Sequence, residues 1–130
     1  GNSRPLDDDV RARLINGLRA HPTTRVFLAY DGDEAVGVAV CFMGYSTFAA
    51  KPLINIHDLA VLPEYRGRGI GRSLLNAVEE YARAEGCCKV TLEVFESNHR
   101  ARKTYAAAGF GAPVYGDGEE RTLFLSKSLA

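Results

Sequence analysis

The run Arg66-Gly67-Arg68-Gly69-Ile70-Gly71-Arg72 combines what phosphate recognition needs: fixed positive charge, and backbone that can come close to a ligand. Glycines remove the side chain that would hold a ligand away. If a helix begins here, its first N–H groups have no partner inside the helix. Together with the helix dipole they make an anion site suited to a phosphate or pyrophosphate. Two phosphate motifs do not fit. The dinucleotide pattern G-x-G-x-x-G would place its third glycine at Arg72. The P-loop pattern, counted from Gly67, puts its second glycine there too, and no Lys-Ser/Thr pair follows. A second set of groups could move protons. His57 carries an imidazole, a group suited to receiving an amine proton, and Glu93 is a carboxylate on a neighbouring element.

The elements around the run are legible. Leu53-Ile54-Asn55-Ile56-His57-Asp58-Leu59-Ala60-Val61 is apolar enough, and long enough, for a strand that crosses a core. Leu62-Pro63-Glu64-Tyr65 breaks it, since Pro63 has no N–H for a ladder. An amphipathic helix then follows. Ile70, Leu74, Leu75, Val78, Tyr81 and Ala82 share one face, while Arg72, Asn76, Glu79, Glu80 and Arg83 share the other. Gly86 stands where a left-handed residue would end that helix. The order is strand, glycine-rich turn, helix.

The remaining pattern builds an α/β chain. Asp7-Asp8-Asp9 suits a helix N-terminus better than a metal site, and Val10, Leu14, Ile15 and Leu18 form one apolar face of a helix ending near Ala20. Residues 25–30 read as a strand, Asp31-Gly32-Asp33 as a hairpin turn, and residues 35–42 as the returning strand. In the latter, Val36, Val38 and Val40 alternate with Gly37 and Ala39. Residues 43–52 are the longest irregular stretch, with Tyr45 and Phe48 open to a recognition role or, for Phe48, a place in the core. Residues 89–95 alternate as another strand. Asn98 is placed to cap a short helix whose Ala101, Tyr105 and Ala108 face one way and which Gly109 ends. Residues 110–115, Gly116-Asp117-Gly118 and residues 121–125 make a closing hairpin. Two consecutive strands joined by a helical crossover must be parallel, so the sheet is mixed and mostly antiparallel. Successive strand side chains alternate in direction, which puts His57 and Asp58 on opposite faces unless a bulge intervenes.

Composition narrows the function. The 130 residues fit one domain, over residues 1–130. Sixteen basic and sixteen acidic residues balance, so neither nucleic acid nor a membrane surface is an expected partner. No apolar run reaches the roughly 20 residues of a membrane span, and Gly1 in place of Met points to a processed start. Cys41, Cys87 and Cys88 are odd in number and lack zinc spacing. They read as free thiols of a reducing, cytoplasmic compartment. A Cys–His nucleophile stays open beside the plainer reading of small core residues.

Arg66-x-x-Gly69-x-Gly71 directly after a strand resembles the coenzyme A pyrophosphate loop of the GNAT superfamily of N-acetyltransferases. Asn98…Tyr105…Gly109-Phe110 is similar to that family's N-x(6)-Y-x-x-x-G-F segment, and the likeness covers roughly residues 26–125. The resemblance implies a sheet whose central parallel pair splays apart, with helices on its faces. It implies acetyl-CoA as cosubstrate and no metal. The amides of Gly67, Arg68, Gly69, Ile70, Gly71 and Arg72, beside Arg66, would bind pyrophosphate. The main chain of Leu59, Ala60 and Val61 would bind the pantetheine arm, with Asn98 and Tyr105 closing the site. Tyr105 matches the residue that protonates the departing thiolate. His57 sits in an H-x-L-A-V context like that of arylalkylamine-type members and is the expected base, with Glu93 in reserve. GNAT chains commonly begin with one more strand, which only residues 2–6 could supply; otherwise that sheet edge is bare or covered by a second copy, as in a homodimer.

The expected activity is transfer of acetyl from acetyl-CoA to a primary amine of a small molecule, or to lysine, by direct attack in a ternary complex. The alternative is a catalytically weak module that binds acetyl-CoA as a sensor. Asp58, Glu93 and Glu96 could attract a cationic amine, and Tyr45 and Phe48 could flank an aryl or alkyl one; the acceptor stays open between them.

Overall fold

The computed structural model describes residues 7–115 and 122–129. Its elements run α1 (Asp8–Ala20), β1 (Thr24–Asp31), β2 (Glu34–Ser46), β3 (Lys51–Val61), a 3-10 turn (Pro63–Tyr65), α2 (Ile70–Ala84), β4 (Lys89–Phe95), α3 (His99–Ala107), β5 (Gly111–Tyr115) and β6 (Thr122–Ser128). The six strands form one sheet in the order β1-β2-β3-β4-β6-β5. Every neighbouring pair is antiparallel except β3 and β4, which the α2 crossover makes parallel. That is the mixed α/β architecture the element order implies. The turn at residues 116–118, Arg121 and the possible extra strand at residues 2–6 lie outside the described residues.

The core lies between α2 and one face of the sheet. Leu74, Leu75, Val78 and Ala82 of α2 are buried against Ala39, Cys41, Ile54, Ile56, Val90, Leu92, Leu123 and Leu125. Removing such a side chain costs about 2–5 kcal/mol. The small residues of β2 have a purpose here. A Cβ on Gly37 would lie 3.0 Å from Ile70 and 3.1 Å from Leu74, so its absence lets the start of α2 settle on the strand. The helix ends as its sequence directs. Gly86 takes φ 76°, its N–H bonds the Arg83 carbonyl, and the Cys87 N–H reaches back to Ala82.

Three expectations change. The stretch 43–52 is not a long loop: β2 continues to Ser46, β3 begins at Lys51, and Tyr45 pairs with Pro52. The turn between them is short because the Ser46 hydroxyl accepts the Ala49 N–H and Ala50 adopts φ 53°. Phe48, at its tip, is fully exposed and has no part in the core. Finally, the apolar face of α1 buries no residue. Leu14 and Ile15 are exposed, and Val10, Leu14 and Leu18 instead border an open groove of about 470 Å³ with His21 and Phe42. Amphipathic spacing specifies a face, but burial needs a partner surface. Among the described residues, no helix is long and apolar enough to cross a membrane.

Candidate functional site

The site begins where the parallel pair separates. β3 and β4 are paired only over residues 54–56 against 90–92. Beyond Ile56 and Leu92, β3 continues to Val61 and β4 to Phe95 without a shared ladder. Leu59, Ala60 and Val61 keep their partners Ala39, Val38 and Gly37 on β2. Alternate residues of a strand direct their N–H and C=O to opposite neighbours, so only part of this backbone faces the side that β4 has left. The root of the split is fastened by a pair the sequence did not reveal. Asn55 Nδ2 donates to Thr91 Oγ1 at 2.9 Å, and Thr91 is 3% exposed.

The glycine-rich run lies at the end of β3 and opens α2. Gly67 and Gly69 adopt φ 79° and 81°, a region that favours glycine. Gly69 is the N-cap of α2 and no side chain caps that end. Nothing stands within 4 Å of the place a Cβ would take on Gly67, Gly69 or Gly71. The start of α2 is therefore uncapped and uncrowded, with the helix dipole behind it, an arrangement suited to an anion such as a pyrophosphate. The arginines are held by the chain itself. Arg66 Nε donates to the Val61 carbonyl at 3.3 Å, and the Arg68 guanidinium lies 4.9 Å from the centre of the Tyr65 ring. Tyr65 donates in turn to Asp31 at 2.8 Å, joining the loop to the β1–β2 turn. Arg72 points to solvent from the first turn of α2.

Tyr105 is on the α2 side of the sheet. It is 7% exposed, in one cluster with Leu92, Val94 and Leu123. Burial pushes its phenol above the ordinary range, so it stays protonated through neutral pH. Asn98 caps α3 by accepting the Ala101 N–H at 3.2 Å. At the other end of α3, Gly109 takes φ 95° and its N–H bonds Ala106, while the Phe110 N–H bonds the Tyr105 carbonyl. The Gly-Phe of the motif is thus a helix stop that fixes the tyrosine.

His57 is on the opposite side, and the register explains how. Val40 pairs with Asp58 while Cys41 pairs with Ile56, so His57 is the extra residue of a β-bulge. This overturns the expectation that His57 and Asp58 face opposite ways. Asp58 now shares the face of its partner Val40, away from α2. His57 lies on that same face, where its ring meets the Phe42 ring edge to face at 5.7 Å. The Phe42 ring also meets the His21 ring in a T-shaped contact, centroids 5.4 Å apart, on the border of the α1 groove. Glu93 is exposed opposite Phe124, on this face too. The two candidate bases therefore lie on one face of the sheet and the buried phenol on the other.

The cysteines take the plainer course. Cys41 and Cys87 are buried and all three are free. Burial pushes the Cys41 thiol up to about 12, far from a working nucleophile.

The chain is thus a mixed α/β sheet with a split parallel pair and a glycine-opened helix crossing between the two strands. The chain matches the acetyltransferase (GNAT) family model over residues 3–110 and belongs to that family. It is 39% identical over 92 residues to an uncharacterized N-acetyltransferase of Archaeoglobus fulgidus, covering 70% of this chain and 63% of that protein. It is 38% identical over 78 residues to the thialysine N-epsilon-acetyltransferase of Bos taurus, covering 60% of this chain and 45% of the relative. The chain thus spans roughly half to two thirds of the length of these relatives. Among solved structures it is similar to Arabidopsis thaliana Naa50 in complex with the bisubstrate analogue CoA-Ac-MVNAL. That match has a TM-score of 0.74 and 26% identity, and it covers 98% of this chain and 85% of the other.

Proposed function

We propose that the chain transfers an acetyl group from acetyl-CoA to a primary amine, by direct attack within a ternary complex. The observation that carries the reading is the uncapped, glycine-opened start of α2 beside the unpaired stretch of β3. The amides of residues 67–72 bind the pyrophosphate, with Arg66, Arg68 and Arg72 around it. Beside Leu59, Ala60 and Val61 the pantetheine arm takes the place of the missing partner strand, and Asn98 and Tyr105 close the far side. Bound there, acetyl-CoA supplies an activated acetyl thioester.

The chain's own groups then handle the protons. A new C–N bond forms as the C–S bond breaks. Tyr105 gives its proton to the departing sulfur. His57, or Glu93 in its place, takes the proton that the amine loses, directly or through water. Solvent returns both groups to their starting states. The products are an amide and free coenzyme A.

The amine approaches from the His57 face, because Tyr105 and α2 occupy the other. A small amine is favoured: the thialysine acetyltransferase acts, by its name, on a small amino acid amine. Among the described residues β1 is an edge strand, and with Val26, Leu28 and Tyr30 exposed it is the surface for a homodimer in the cytoplasm.

Acetyl-CoA-dependent thiol release tests this against polyamines, arylalkylamines, aminoglycosides, amino acids including thialysine, and lysine peptides. The wild type runs beside Tyr105→Phe and His57→Ala. Turnover of one class, with both variants slowed, is expected. Tight acetyl-CoA binding without turnover of any amine would replace the enzyme by the sensor module.

A further inference from the structure

We propose that Lys127 is a positioning residue for this acetyl transfer: its ammonium fastens the last turn of α3, and Tyr105 with it, to α2, whose first turn forms the phosphate cradle. The inference rests on the proton-donor reading of Tyr105.

Lys127 lies on β6, paired with Val90 on the α2 side of the sheet. Its Nζ donates to Glu79 Oε2 at 2.9 Å and to the Ala108 carbonyl at 2.9 Å. Glu79 belongs to α2 and Ala108 closes α3, so one cation bridges two helices from the strand beneath them. Glu79 is steadied by Arg83 at 2.9 Å, and Arg83 also donates to the Leu129 carbonyl at 3.1 Å. The side chains of Lys127 and Glu79 are 24% and 22% exposed, sheltered enough for the pair to hold its geometry. A cation at a helix C-terminus also complements the carbonyls that the helix leaves unpaired.

Gly109 shows that the contact is built in. A Cβ there would lie 3.1 Å from Lys127 Cε and 3.3 Å from Nζ. The glycine therefore serves twice, turning the chain at positive φ and leaving room for the ammonium to reach Ala108. Tyr105 stands one turn before that carbonyl, and its own carbonyl holds Phe110. From Gly71 to Glu79, α2 rises about 12 Å at 1.5 Å per residue. Cradle and proton donor are thus tied through one rigid helix and one lysine. A displacement of the donor by about 1 Å can cost up to about a hundredfold in rate.

The test measures thiol release from acetyl-CoA with water and with thialysine as acceptors. It compares wild type, Tyr105→Phe, Lys127→Met and the double variant, with a thermal melt of each. Lys127→Met is expected to lower kcat about ten- to a hundredfold, with the KM for acetyl-CoA held within about threefold. The double variant is expected to be no slower than Tyr105→Phe alone, because both changes act on one proton transfer. Glu79→Gln, which keeps an acceptor for Lys127, should lose much less, and it decides the matter with Glu79→Ala if Lys127→Met does not fold. A folded Lys127→Met with wild-type kcat, or slowing that multiplies with Tyr105→Phe, overturns the positioning role. If Tyr105→Phe itself keeps full rate, the proton-donor reading fails instead, and the inference falls with it.

Discussion

The Phe110 N–H donates to the carbonyl of Tyr105 at 3.0 Å, and the two rings meet edge to face with centroids 6.0 Å apart. Backbone and side chain thus close the end of α3 together, on a glycine that no other residue replaces without strain. Gly109→Ala is expected to destabilise the fold by about 1–2 kcal/mol from the left-handed backbone alone, with further loss from the approach to Lys127. Urea unfolding measures it, and an unchanged midpoint would contradict this account of the motif.

Gly69 and Gly71 separate folding from binding. Gly69 has positive φ, so Gly69→Ala should cost about 1 kcal/mol of stability as well as ligand affinity. Gly71 is not among the positive-φ glycines and has open space around it, so Gly71→Ala should leave the melting temperature unchanged or slightly raised. Its new methyl group would stand at the first turn of α2. Calorimetric titration with acetyl-CoA should show binding weakened about tenfold or more; unchanged affinity would move the phosphate away from this turn.

The Asn55–Thr91 bond fastens the root of the split. Asn55→Ala leaves the buried Thr91 hydroxyl without that donor, at an expected cost of about 1–3 kcal/mol. Replacing both, as Asn55→Leu with Thr91→Val, should recover part of the loss, since neither polar group then remains to be satisfied. Denaturant melts of the three proteins decide it, and equal destabilisation in the single and double variants would refute it.

Glu79 makes part of the stability depend on pH. The hydrogen bond from Lys127 holds its carboxyl below the usual 4.5, opposed by partial burial and aided by Arg83. Because the folded value lies below the unfolded one, the contribution is fully present above pH 4.5 and is lost as pH falls through the folded value. The gap in melting temperature between wild type and Glu79→Gln should therefore be widest near neutrality and narrow below 4.5. A gap that stays constant into acid would show that the carboxylate charge is not what stabilises the pair.

β1, the edge strand among the described residues, gives a further expectation. Leu28 is 48% exposed on the edge strand, so Leu28→Lys should change stability by no more than about 0.5 kcal/mol. If copies pair through this edge, sedimentation should show wild type associating with concentration and Leu28→Lys remaining monomeric. Identical behaviour of the two would exclude this edge as the interface.

Much of the cradle was legible because its signals are local. Positive φ at Gly67, Gly69, Gly86 and Gly109 follows from what a Cβ forbids, and the buried face of α2 follows from spacing within one helix. The proline break and the Asn98 cap are equally short-range. The order of elements then required a parallel β3–β4 pair, since a helical crossover admits no other direction. What the sequence alone did not determine depends on how distant strands are aligned. One residue of slip between β2 and β3 makes the bulge that places His57 and Asp58 on a common face, against simple alternation. The same non-local register sets where the β3–β4 ladder stops, joins Asn55 to Thr91, and brings Lys127 of β6 under Gly109 and beside Glu79. The spacing within α1 named an apolar face, yet only the packed molecule decided that the face lines a groove instead of the core. Local sequence fixes dihedral angles and periodicity; which residues meet across the sheet is set by the packing of the whole chain.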